Sequence, residues 1–230
     1  MTVSTFPITW PTTAFLESNW EPLRRQAMGV TGGARDIAVD FGQPAWTATL
    51  KTIPLTLAQA QAWKAFKASL RGQARFFLGW DPTREYPGAY MPAGWGALTR
   101  AGGGSFDGTC GVTAIATSGL DSVGRDVITL GSPALPVGFS LVAGDMIGFV
   151  QSGKYTLHRV LDAAPVAANG SGVSTIWIEP ELPASFTTAA VAHLYRPCAK
   201  MRVTALDVPI SAAGRNRPGQ ATITAVSTML

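Results

Sequence analysis

Charge is the scarcest ingredient of this sequence. Asp, Glu, Lys and Arg make up 14% of its 230 residues, against roughly a quarter in an average soluble domain. The shortage has two readings: surfaces covered by neighbours in an assembly, or a chain merely poor in Lys and Glu. The net charge is only +4. The densest basic spots, Arg24-Arg25 and Arg215-x-Arg217, are too small for a nucleic-acid groove, so no nucleic-acid-specific site is expected. A solvated face or a salt-bridged interface is the expected use of these arginines. No run of about twenty apolar residues is present to span a bilayer. The opening MTVSTFPITWPTT has neither a charged start nor an apolar core, so no secretory signal is expected.

Histidine and cysteine are equally sparse, at two each. Without an export signal, Cys110 and Cys198 are expected as free thiols. With His158 and His193 they are the only soft ligands, and they form no C-x2-C or H-x3-H pair, so a metal site is not expected. There is no G-x-S-x-G, and both histidines sit in alternating strand runs, LHRV and AHLY. Paired carboxylates would suit a glycosidase. Glu179 and Glu181 flank Pro180, however, and read as a strand end, while Asp81 and Glu85 fall in a loop. Gly102-Gly103-Gly104-Ser105 lacks the Lys of a phosphate loop and reads as flexible linker. No catalytic residue, cofactor or enzymatic activity is expected.

What the chain does have is β-pattern, interrupted by a single helix. In TLAQAQAWKAFKASLRG, Thr56 and Gln59 form a capping box after Pro54, predicting a helix over 56–71. Leu57, Trp63, Phe66 and Leu70 are assigned to its core face. Lys64, Lys67 and Arg71 lie off that stripe, and Gly72 is the expected left-handed stop. Before the helix, Asp36–Phe41 and Trp46–Leu50 alternate with period two, and Gly42-Gln43-Pro44 between them predicts a hairpin. After it, Arg75–Trp80 reads as a strand.

Residues 81–108 are dense in Pro and Gly and read as a linker. Its aromatic neighbours Trp80, Tyr86, Tyr90 and Trp95 are expected to be exposed, to pack between two units or to stack on a ligand. Residues 109–198 show six short alternating runs separated by turns, the pattern of a small barrel or sandwich. KMRVTALDV and ATITAVST then alternate again and are expected to return to the first domain as edge strands. The predicted organisation is 1–80 plus 199–230 as one domain, with 109–198 inserted. The predicted fold class is mainly β, a β-sandwich with one flanking helix plus an inserted β-barrel or sandwich unit.

Two stretches resemble minor tail proteins of long-tailed, non-contractile bacteriophages and prophages, particularly the distal tail protein. One is the helix followed at once by RGQARFFLGWDP. The other is LVAGDMIGF, KYTLHRVLDA and the Gly-rich turn before STIWIEPELP. The resemblance implies a tail-tube-like sandwich assembling as a hexameric ring at the virion's tail tip, made in the host cytoplasm. It implies partners in the tail tube, hub and tape measure, and an outward module holding a receptor-binding protein or a surface glycan. Lys64, Lys67, Arg71, Arg215 and Arg217 are then the expected subunit-interface residues. The alternatives are a carbohydrate-binding module acting at a bacterial cell surface, with the 109–198 unit as binder, or another minor tail or tail-completion protein. A cell-wall hydrolase ranks below both.

Overall fold

A computed structural model describes residues 8–24, 26–30, 36–40, 44–90, 97–116, 125–209 and 219–228. The chain is mainly β; the described residues form one α-helix, one six-stranded sheet and one closed six-stranded barrel, with two short two-stranded pairs besides. The sheet is built from β1 (Ile8–Thr9), β2 (Phe15–Leu23), β5 (Ala45–Thr52), β6 (Phe77–Trp80), β15 (Cys198–Asp207) and β16 (Thr222–Ser227), in the order β1-β6-β15-β16-β5-β2. Among the described residues, only the β1–β6 pair of this sheet is parallel. The alternation in AWTATLKT buries Trp46, Ala48, Leu50 and Thr52 on one face, as period two requires.

Three sequence expectations need correction here. The 36–50 hairpin does not form. Instead β4 (Asp36–Asp40) pairs with β3 (Gln26–Val30), and β5 pairs with β2 from Leu23↔Ala45 to Phe15↔Thr52. The two ladders are nested in sequence, with Gln26↔Asp40 lying inside Leu23↔Ala45. Gly42 and Gln43 lie outside the described residues. Second, KMRVTALDV and ATITAVST are not edges: β15 is flanked by β6 and β16, and β16 by β15 and β5. The edges are β1 and β2. Third, residues 97–108 are not a free linker. Phe106 is buried in the barrel core with Leu98 packed beside it, and Arg100 donates to the Ala134 carbonyl at 3.0 Å. The glycine run is a tight turn, closed by Gly103 N–H donating to Arg100 O and bridged at Thr99↔Ser105. Gly103 and Gly104 hold φ of +87°, a backbone that L side chains rarely adopt.

The helix α1 (Leu57–Ser69) crosses from β5 to β6 over the sheet. Its capping box forms: Thr56 Oγ1 accepts from Gln59 N–H, and the Thr56 N–H donates to Gln59 Oε1 at 2.9 Å. Trp63, Phe66 and Leu70 are buried, but Leu57 is 58% exposed. Helical geometry explains this correction. At 3.6 residues per turn, each three-residue step drifts about 60° backwards, so Leu57 leaves the face centred on Trp63 and Phe66. Leu55, just before the cap, is buried in its place. The stop also begins one residue early, with Arg71 at φ +48° before Gly72 at +69°. Edge-to-face rings then run from Phe15 through Trp63 and Phe66 to Phe77 at 5.6–6.3 Å.

The six predicted runs of the middle unit are the six barrel strands: β7 (Thr109–Ala116), β8 (Val127–Leu130), β10 (Met146–Gln151), β11 (Lys154–Val160), β13 (Ser174–Glu179) and β14 (Val191–His193). All six pairings are antiparallel and the ring of hydrogen bonds closes. A short pair, β9 (Ser140–Leu141) with β12 (Val166–Ala167), lies beside it. Barrel and sheet are joined. Trp46 donates its indole N–H to Leu157 O, and Met146 and Leu157 belong to the sheet's apolar cluster. Arg24 also reaches Glu179 at 2.8 Å.

Candidate functional site

Beside the outer edge of the sheet the chain leaves a cleft of about 380 Å³. One wall is the 10–18 segment, which runs from the end of β1 into β2. Another is the end of β6 at Trp80 and the turn that follows, and Arg196 closes the third. The floor forms because Trp10 packs 4.7 Å from Trp80 and 5.8 Å from Phe77. Gly79 permits this approach. A β-carbon there would lie 3.2 Å from the Trp10 ring and 3.0 Å from both Phe77 and Met201.

The polar groups of the rim are held by neighbours. Asp81 is buried, and its Oδ1 accepts from Ser18 Oγ at 2.9 Å, Thr83 N–H at 2.9 Å and Thr83 Oγ1 at 2.8 Å. Three donors on one oxygen satisfy a carboxylate out of water. Thr13 Oγ1 accepts from the Trp63 indole at 3.3 Å. Arg196 pairs with Glu85 at 3.2 Å and stands over the rings of Trp80 and Tyr195, 5.3 and 5.2 Å from their centroids. Its backbone is left-handed, with φ +45°, and is pinned by Arg196 N–H donating to Glu85 O at 2.8 Å.

Of the aromatics singled out in the sequence, Trp80 is half-buried in this cleft. Tyr86 stacks on Tyr195 at 5.0 Å, and the hydrogen bond between them raises the Tyr86 hydroxyl's pKa. Of the uses expected for them (exposure, packing between units or stacking on a ligand), both show partial packing against neighbouring rings. Tyr90 ends the 3-10 turn Gly88–Tyr90, and Trp95 lies outside the described residues. Lys64, Lys67 and Arg71 are exposed beside one another on the helix and after it, away from the cleft. Arg215 and Arg217 lie outside the described residues. The sequence reading missed Trp10, Thr13, Ser18, Thr83 and Arg196. Their only common signal is flanking proline and hydroxyl residues, which mark turns rather than a site.

The other chemistry-bearing side chains serve the barrel. His158 is fully buried on β11; its Nδ1–H donates to Pro180 O, which leaves Nε2 to accept from the Thr156 hydroxyl. Burial pushes its pKa down to about 4. Cys110 is buried in the barrel core, its thiol pushed up to about 12 by desolvation, and it is not bonded to Cys198. Glu179 ends β13 in the Arg24 pair, and Glu181 is buried. No three His, Cys, Asp or Glu side chains converge among the described residues as a metal ion would require. No helix among them is long and apolar enough to cross a membrane.

No protein-family model matches the chain, and no curated protein matches it.

Proposed function

We propose that this chain is a structural subunit of the tail tip of a long-tailed, non-contractile bacteriophage, assembling with itself into a ring, most specifically as the distal tail subunit. The observation that carries the reading is the open edge of the sheet. Strand β2 is nine residues long, hydrogen-bonded to β5 on one side, and has no strand on its other side among the described residues. Leu16 and Leu23 along it are 57% and 45% exposed. A long open edge with exposed leucines is an aggregation hazard unless another chain covers it. Identical subunits related by rotation cover every edge at once.

The sequence resemblance to distal tail proteins and the low charge point the same way. The exposed Lys64, Lys67 and Arg71 offer a basic flank to a neighbour, whereas Glu17 and Glu21 on β2 already pair with Lys51 and Arg159 of the same chain, at 3.2 and 3.8 Å. Ion pairing through the basic flank would set register more than affinity. The tail tube, hub and tape measure are the further partners this placement calls for.

Light scattering after size-exclusion chromatography tests the reading. The expected mass is about six times the 24.1 kDa of one chain, with ring-shaped particles in negative stain. A monomer at every concentration up to about 0.5 mM would overturn it, since subunits at a specific interface associate well below that.

A further inference from the structure

We propose that the cleft beside Trp80 binds one pyranose ring of a neutral saccharide. This goes beyond the ring reading and does not depend on it, because every residue of the cleft comes from one chain. Its volume, about 380 Å³, falls at the lower end of small-molecule sites. Its charges cancel: Arg196 is matched by Glu85 at 3.2 Å. A phosphate or carboxylate would have to displace Glu85, and a cation would have to displace Arg196, so a neutral ligand is favoured.

The walls fit a ring that is apolar on its faces and polar around its rim. Trp80 and Phe15 supply apolar surface to the cleft. Sugar C–H faces pack on aromatic rings for the same reason that other apolar surfaces do. The hydroxyls are already oriented. Ser18 and Thr83 both spend their protons on Asp81, so their oxygens are left as acceptors. Thr13 accepts from Trp63 and so keeps its own proton to donate. Closely spaced acceptors and donors around an apolar wall suit a polyol better than an amide or a purely apolar group.

The backbone at Arg196 is an independent observation. Its φ of +45° is the left-handed backbone also found at Arg71 and Ser152, but at Arg196 the surroundings over-determine it. Here two ring faces, a carboxylate and a backbone hydrogen bond hold the guanidinium at the rim before any ligand arrives. Preorganised donors lose little freedom on binding.

Saturation-transfer difference NMR on the full chain tests this, with D-glucose, D-galactose, D-mannose and N-acetyl-D-glucosamine as separate probes. At least one is expected to show saturable transfer with a Kd of about 1–10 mM, a normal range for a single small ring. Ring C–H protons should receive the most. Arg196→Gly suits the left-handed backbone while removing the guanidinium, and should weaken binding about tenfold. Trp80→Phe keeps an apolar ring against Trp10 and should weaken it several-fold. Leu57→Ala, outside the cleft, should leave binding unchanged. No transfer from any of the four sugars up to about 100 mM would overturn the proposal. So would Arg196→Gly and Trp80→Phe binding like the parent. Loss of oligomer mass in Arg196→Gly without any sugar binding would assign the cleft to a second copy, and would equally overturn it.

Discussion

The sheet and the barrel solve the same problem, closing a β-structure around a core, in opposite ways. The barrel closes on itself: six antiparallel pairings leave none of its strands at an edge. Its core is largely aliphatic, with Ile128, Leu130, Leu141, Ile147, Val160, Ile176 and Ile178 buried. The sheet stays open, and its core is aromatic, with Trp10, Trp20, Trp46, Trp63, Phe66 and Phe77 buried under a single helix. Small branched residues fill the tapering interior of a narrow barrel. Large flat rings instead span the wide gap between a helix and a sheet. The difference also divides the labour. Closure leaves the barrel without a free edge, whereas the sheet keeps one at β2, the edge on which the proposed ring assembly rests.

The largest test of this contrast strikes the aromatic core. Phe66→Ala should cost about 3–5 kcal/mol, because it removes a buried ring that touches both Trp63 and Phe77. Urea denaturation measures it, and a loss below about 1 kcal/mol would mean that the helix is not core to the sheet. The same experiment sharpens the comparison. Met146 and Leu157 of the barrel sit in the sheet's cluster, and Trp46 is hydrogen-bonded to Leu157. Both halves should therefore unfold in one transition, coincident by fluorescence and circular dichroism.

Next in size is acid sensitivity, which should belong to the barrel. His158 is fully buried, and its neighbours are the Pro180 carbonyl, the Thr156 hydroxyl and the ring of Phe149. Protonation would set Nε2–H against a group that now donates to it. Burial pushes the folded pKa down to about 4, whereas an unfolded histidine titrates near 6.5. Between those values the unfolded chain binds the extra proton, so stability is whole above about pH 6.5 and falls as pH drops towards 4. The full effect is on the order of 3 kcal/mol. Thermal melts of the parent and of His158→Gln between pH 4 and 7.5 measure it. The variant should be less stable at neutral pH but show a shallower decline. Parallel declines would place the acid sensitivity elsewhere.

The barrel was the more legible half. Each of its strands shows its own alternation and is bounded by a turn, such as Ser152-Gly153, where φ is +50° and +75°. Consecutive strands are paired only in part, yet six short runs of that spacing have few ways to close. The sheet hid its pairing because alternation identifies a strand without naming its neighbour. Ile37 and Val39 alternate as cleanly as Trp46 and Leu50, but they belong with β3 rather than β5. The same limit mistook β15 and β16 for edges. The helix was legible in its cap and in Trp63, Phe66 and Leu70, and failed only at Leu57, where three-residue spacing was read as a straight stripe. The cleft was the least legible feature. Trp10, Ser18, Thr83 and Arg196 span most of the chain, and only the β1–β6–β15 arrangement brings them to one place.

The smallest effect on stability should discriminate the two halves most sharply. Leu23 on β2 and Val137 on the loop before β9 are both exposed apolar side chains, at 45% and 61%. Replacing either with Lys should change the stability of the isolated chain by less than about 0.5 kcal/mol, because neither leaves a cavity or buries a charge. Their effects on assembly should diverge. A lysine on an open edge strand is the device by which natural sheets prevent edge-to-edge pairing. Leu23→Lys should therefore shift the oligomer towards monomer in light scattering, while Val137→Lys on the self-contained barrel leaves the mass unchanged. If both variants keep the parent mass, β2 is not the assembling edge. If Val137→Lys alone dissociates the particle, the barrel is the half that needs a partner, and the contrast drawn between closed and open β-structure is inverted.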